Sequence, residues 1–149
     1  MFFYLLFTIV LVLLDQWTKY LTIKNIPLFE VKEVFPNFLS FTHIRNTGAA
    51  WSILEGQMWL FYIITVLVIG VLLYYLYMEG RQDKIFGFIL SIILAGTIGN
   101  FIDRLIYKEV IDMIRVEFIN FPIFNVADML LTVGVLLLVI YTFIQEKST

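Results

Sequence analysis

The sequence predicts an all-α membrane protein with four transmembrane helices and a small β-rich connector between the first two, built as one membrane-embedded domain over residues 1–149. Three observations predict it. The chain is 61% hydrophobic and 15% charged, with a mean hydropathy of +0.93, which leaves too little polar surface to cover a soluble fold. Four apolar stretches are each long enough to cross a hydrocarbon layer of ~30 Å at ~1.5 Å per residue. Between the first two stretches the pattern changes to partial alternation broken by proline.

The first span covers about residues 2–23, with Asp15 and Lys19 near its end. Its opening, "MFFYLLFTIVLVLL", lacks a basic leader and an A-x-A-like cleavage site, and apolar character resumes after "DQWTKY". It therefore reads as a retained span and not as a secretion signal. The connector, 24–57, contains "LFEVKEVFPNFLSFTHIRN", which reads as short strands. "GAAWSIL" then reads as a small interfacial helix with Trp51 at headgroup level. The second span, 58–78, is free of charge and ends in Tyr74, Tyr75 and Tyr77, an aromatic belt. "EGRQDK" makes a short turn into the third span, 85–106. Residues 107–122 include "VIDMIRVEF", which alternates again before Pro122, and the fourth span covers 123–144.

Four crossings fix which ends share a side. Asp15, Lys19, Arg45, Asn46, Asn100, Asp103, Arg104, Asp112, Asn125 and Asp128 all fall together, while the other side holds little beyond "EGRQDK" and the tail. A charged residue at the centre of a span is unfavourable by about 2.5–3.5 kcal/mol, so such residues mark candidate sites. Asn100 precedes Asp103 by three and Arg104 by four, on one helical face. Asn125 precedes Asp128 by three, and Asp15 and Lys19 stand at i and i+4. Asp128 is placed about five residues, roughly 8 Å, into the fourth span. Singly, each has a plain explanation: Asn125 as a helix cap, Asp103–Arg104 as snorkelling groups, Asp15–Lys19 as an anchor, Asp112 as a solvated loop charge, His43 as an ordinary strand residue. As a set they exceed what anchoring requires.

Composition narrows the chemistry. A net charge of −2 without a basic run gives nucleic-acid binding no support. The absence of cysteine removes disulfides, thiolate metal sites and cysteine nucleophiles, and His43 alone builds no zinc site. A serine–lysine pair of Lys19 with Ser40 or Ser52 carries no motif. A carboxylate dyad fits best, since two close aspartates share one proton, one member drawing a proton from water while the other hydrogen-bonds a carbonyl. No metal or cofactor is expected. A proton- or ion-coupled transporter using the same carboxylates is the alternative.

"DQWTKY" (15–20), "RNTGAAW" (45–51), "GNFIDR" (99–104), "VIDMI" (110–114) and "FPIFNVADMLLTVG" (121–134) together resemble the bacterial lipoprotein signal peptidases, or signal peptidase II, in order and over nearly the full length. The resemblance implies an aspartic endopeptidase that cuts prolipoproteins before a diacylglyceryl-modified cysteine. By that pattern the dyad is Asp112 and Asp128. Asn46 and Arg104 position substrate, and Gly48 permits a turn. Asn100, Asp103 and Asn125 hold the site, and Asp15 and Lys19 brace the first span. It further implies a place in the bacterial cytoplasmic (inner) membrane, among lipid, with the site on the extracytoplasmic face; a monomer is expected, although nothing in the sequence fixes the oligomeric state. The Lys and Arg count in the loops points weakly the other way. Trp51 departs mildly from the Phe usual at that position.

Overall fold

Each of the four apolar stretches is a helix, long and apolar enough to cross a membrane: α1 (Phe2–Asn25), α2 (Met58–Met78), α3 (Lys84–Tyr107) and α4 (Val126–Glu146). The computed structural model describes residues 1–48 and 57–147. The expected interfacial helix beyond Gly48, with Trp51, lies outside them.

Asp83 starts α3 by accepting a hydrogen bond from the Phe86 amide at 2.9 Å, which satisfies one of the orphan donors of a helix start. Lys108 ends it in the left-handed region at φ 63°. Asn125 starts α4 three residues later than the hydropathy edge, because Phe124 is still extended and bridges Ile114. The fourth span therefore begins at 126 and not at 123, and Asp128 stands in its first turn, shallower than the sequence placed it.

Three strands form one antiparallel sheet, β1 (Val31–Phe35), β2 (Leu39–Asn46) and β3 (Val110–Val116), in the order β1-β2-β3. The β-rich element is thus not confined to the connector between α1 and α2. The alternating "VIDMIRV" after α3 supplies the third strand. This stitches the two polar connections together over one end of the helices.

α3 packs against all three other helices. It meets α4 through small residues: a Cβ on Gly96 would lie 2.5 Å from the Ala127 carbonyl, and one on Gly134 would lie 2.6 Å from Ile93. Away from the sheet the interior is apolar, built from Tyr4, Leu72, Leu76, Ile89, Leu90, Ile93 and Leu94. Beneath the sheet it is polar, with Asp15, Lys19, Asn100, Asp103 and Asn125 all buried. Buried charges of this kind persist only when paired and hydrogen-bonded. Large apolar side chains cover the outward faces of the helices, as lipid contact requires.

Candidate active site

α4 opens with a capping box. The Asn125 side chain accepts from the Asp128 amide at 2.9 Å, and the Asp128 carboxylate accepts from the Asn125 amide at 3.1 Å. Reciprocal capping of this kind satisfies two orphan donors, and the positive end of the helix dipole favours a carboxylate there. The cap predicted for Asn125 is therefore real, and it fixes the direction in which Asp128 faces. The other Asp128 oxygen accepts from Asn100 Nδ2 at 2.7 Å.

Asp112 comes from the middle of β3. Its Oδ1 accepts from Asn125 Nδ2 at 2.7 Å and its Oδ2 from Asn46 Nδ2 at 3.1 Å. Asn125 thus touches both carboxylates, capping with one and donating to the other. Its second Nδ2 proton goes to Asn100 Oδ1 at 3.1 Å. With Oδ1 held by the Asp128 amide, the amide orientation is determined by its partners. Burial and, secondarily, the negative charge of Asp128 raise Asp112 from the usual carboxylate value to about 7, against the lowering effect of Asn46, Asn125 and Lys19.

Both carboxylates line one cavity of about 650 Å³, together with Asn46, Gly48, Asn100 and Arg104. Its remaining wall is apolar except for Thr132, and comes from Val110, the 121–124 segment and the first turns of α4. Arg104 stacks on the Phe61 ring at 4.3 Å and donates to the Gly48 carbonyl at 3.2 Å. Gly48 in turn donates to Asn46 Oδ1 at 2.9 Å, which turns the Asn46 amide toward Asp112. A second cavity, of about 480 Å³, is walled by the end of β3 and the segment that follows it to Ile123, where Arg115 pairs with Glu117 at 3.2 Å.

Asp103 does not frame the cavity. It is fully buried beneath it, with Oδ2 accepting from Lys19 Nζ at 2.9 Å and from the Ile111 amide at 3.1 Å. Asp15 mirrors it, accepting from Lys19 at 2.9 Å and from the Ala127 amide at 2.8 Å. Each buried aspartate therefore grips the residue just before a cavity-lining aspartate, and one lysine joins the two grips. Lys19 gives its third proton to Asn100 Oδ1 at 3.1 Å. The predicted Asp15–Lys19 pair is present but is half of a larger clamp. The snorkelling expected of Asp103 fails because its partner, Lys19, lies inside the bundle.

Gln16, outside the set the sequence points to, also belongs to the clamp: its Nε2 reaches Asp103 Oδ1 at 2.9 Å and the Gly99 carbonyl at 3.1 Å. Its place inside "DQWTKY", one residue after Asp15, was the available signal. Tyr62, likewise outside that set, donates to the Arg104 carbonyl at 2.9 Å. No spacing in the sequence links those two.

Comparison with known proteins agrees with this architecture. A family profile described as "Signal peptidase (SPase) II" matches residues 7–144. The lipoprotein signal peptidase of Enterococcus faecalis is 54% identical over 145 residues, 97% of this chain and 90% of that protein. One from Listeria monocytogenes is 46% identical over 149 residues, 99% of this chain and 97% of its own. A bacterial membrane enzyme solved by the in meso method at 2.3 Å superposes with a TM-score of 0.95 at 36% identity, covering 100% of this chain and 92% of the other.

Proposed function

Because this chain belongs to the signal peptidase II family and removes signal peptides from prolipoproteins, we propose that it does so as an aspartic endopeptidase whose catalytic residues are Asp112 and Asp128. The observation that carries this reading is the shared cavity. Two carboxylates face it, and a single asparagine touches both, Asp112 through its side chain and Asp128 through its backbone amide.

The pair binds one proton between them, since two neighbouring anions at the edge of a low-dielectric layer repel. In the free enzyme that proton rests on Asp112, the more buried member. Asp128 takes a proton from a water held between the two carboxylates, and the water oxygen attacks the scissile carbonyl carbon. Asp112 donates to the carbonyl oxygen as it gains charge. Collapse of the tetrahedral intermediate breaks the C–N bond: the leaving cysteine nitrogen receives the proton that Asp128 took, one hydroxyl returns its proton to Asp112, and the new carboxyl group ionises in water. The products are a signal-peptide carboxylate and a mature chain with a free amino terminus.

Acyl chains hold the lipidated cysteine at the membrane surface, so the bond before it arrives at interfacial depth. There the first turn of α4 and the middle of β3 flank it. Asn46 and Arg104 bind the substrate backbone, and half-buried Arg104 has a covered Nε with no hydrogen-bond partner among the described residues. Gly48 presents its carbonyl to Arg104, while Asn100, Asp103, Asn125, Asp15 and Lys19 hold the carboxylates in place. The enzyme works as a monomer in the inner membrane, among its lipids, with the sheet on the extracytoplasmic face. It requires neither metal nor cofactor.

Asp112→Asn and Asp128→Asn test the assignment on a diacylglyceryl-modified prolipoprotein. Each should lower kcat by about 10²–10⁴-fold in a folded protein. Full activity in either variant sinks the dyad.

A further inference from the structure

β2 does not run straight past Asp112. Phe41 lies opposite Ile114 and Ile44 opposite Asp112, so Thr42 and His43 together face the one residue Met113. This is a β-bulge, and it decides which side chains share a face with Asp112. Ser40 and Asn46 are an even number of residues apart and would point the same way along a regular strand. Instead Ser40 pairs with Arg115, on the face away from Asp112, while Asn46 reaches Asp112 at 3.1 Å. A regular ladder continued from Phe41 would set His43 opposite Asp112. It would bring Arg45, not Asn46, to the carboxylate, because a one-residue slip exchanges the faces of a strand.

Three hydrogen bonds hold the bulge, all to the segment leaving α1. His43 Nδ1 meets the Ile26 carbonyl at 3.0 Å. A carbonyl can only accept, so the ring carries its proton on Nδ1. Thr42 Oγ1 donates to the Glu30 carbonyl at 2.7 Å, and the Phe29 amide donates to the His43 carbonyl at 2.9 Å. Phe29 makes that bond from φ 66°, a left-handed conformation that is unfavourable for a residue with a side chain. His43 itself is 4% exposed, although the sequence offers it as an ordinary strand residue.

We propose that His43 is a positioning residue for the hydrolytic site: by pinning the Thr42–His43 bulge to the end of α1, it sets the strand parity that places Asn46, and not Arg45, against Asp112. The inference rests on the dyad reading above.

The chain lacks cysteine, so engineered thiols report register without background. Directly opposed residues of an antiparallel pair lie about 4.5–5.5 Å apart at Cα, within reach of a disulfide. Asn46→Cys with Val110→Cys should cross-link in the parent, because these positions are opposed. Arg45→Cys with Val110→Cys should not, because position 45 faces the other way. Adding His43→Val should weaken the first cross-link and produce the second. His43→Asn, whose amide nitrogen stands where Nδ1 does, should keep the parent pattern.

Without introduced cysteines, His43→Val should lower cleavage of a lipidated prolipoprotein by about tenfold, the upper worth of one hydrogen bond between neutral groups. It should also move the alkaline limb of the pH profile down by about one pH unit, because a guanidinium would replace the amide beside Asp112. His43→Asn should stay within about threefold, with the limb unmoved. A role in folding alone would reduce the amount of active enzyme and shift neither limb nor cross-link. His43→Val that keeps the 46–110 cross-link and the parent limb overturns the proposal. If His43→Val fails to accumulate, Thr42→Val removes the Glu30 bond and reads the same register, with the same two results deciding. The cross-links do not depend on activity, so they still test the bulge if Asp112→Asn and Asp128→Asn prove fully active.

Discussion

Lys19→Met removes the cation that joins Asp15 to Asp103, each at 2.9 Å, in a site from which water is excluded. At an effective dielectric near 20, each contact contributes about 6 kcal/mol of Coulomb attraction. Desolvation of the three ions, several kcal/mol apiece, offsets most of that. Breaking a buried pair from one side is nevertheless unfavourable by about 3–5 kcal/mol, because the carboxylates left behind stay buried without a counter-charge. The loss should reach the reaction through two backbone grips, Asp15 on Ala127 and Asp103 on Ile111. Those residues directly precede Asp128 and Asp112, so the carboxylates should drift apart and kcat should fall more than KM rises.

The informative variant is the double change Lys19→Met with Asp103→Leu. Replacing a buried ion pair with apolar side chains is often neutral for stability. The double variant should therefore recover thermal stability in detergent relative to Lys19→Met. It should not recover kcat, because Leu cannot hold the Ile111 amide. Thermal unfolding and cleavage of a lipidated prolipoprotein, measured on the same preparations, separate the two effects. A Lys19→Met protein with parental stability and parental kcat would refute the clamp. Joint recovery of both properties in the double variant would refute the claim that it acts by positioning.

Asp112 sits near pH 7 in the fold against an ordinary value of 3.8, so the folded state binds a proton that the unfolded chain releases. Its contribution to stability is complete below about pH 4 and is lost as pH rises toward 7. Asp112→Asn should flatten that slope and stand above the parent in thermal stability at neutral pH, while an unchanged slope would refute it. The same group, acting as the acid, should make the parent's kcat decline above about pH 7, and a profile still rising to pH 9 would contradict that role. Gly99→Ala would bring a Cβ within 2.5 Å of Asp15 Oδ2. It should destabilise by about 1–3 kcal/mol and lower activity. Gly70→Ala, with nothing within 4 Å of its Cβ, should leave activity unchanged. Equal behaviour of the two would show that close α1–α3 packing does not matter to the site.

Hydropathy made the four helices legible, because lipid demands long apolar segments with their backbone bonds made internally. The alternating run at 110–116 showed a strand, but not its neighbours. Pairing with β2 joins positions some seventy residues apart, and nothing local encodes that. The start of α4 differs from the hydropathy edge for a related reason: Ile123 and Phe124 are apolar enough to belong to a span, yet Phe124 bonds to β3.

What the amino-acid pattern fixed was an inventory and a side: which polar groups enter the bilayer region, and at which end they gather. Both follow from composition and crossing parity, which are properties of short segments. What required the folded chain was assignment within that set. "GNFIDR" holds three polar groups on adjacent turns, yet Asn100 and Arg104 reach the cavity while Asp103 turns inward to Lys19. Asn46 meets Asp112 only because two residues of β2 share one place in the ladder. A carboxylate's role depends on its partners and its burial, and both are set by contacts between distant segments. A single extra residue in a strand is enough to exchange one face for the other.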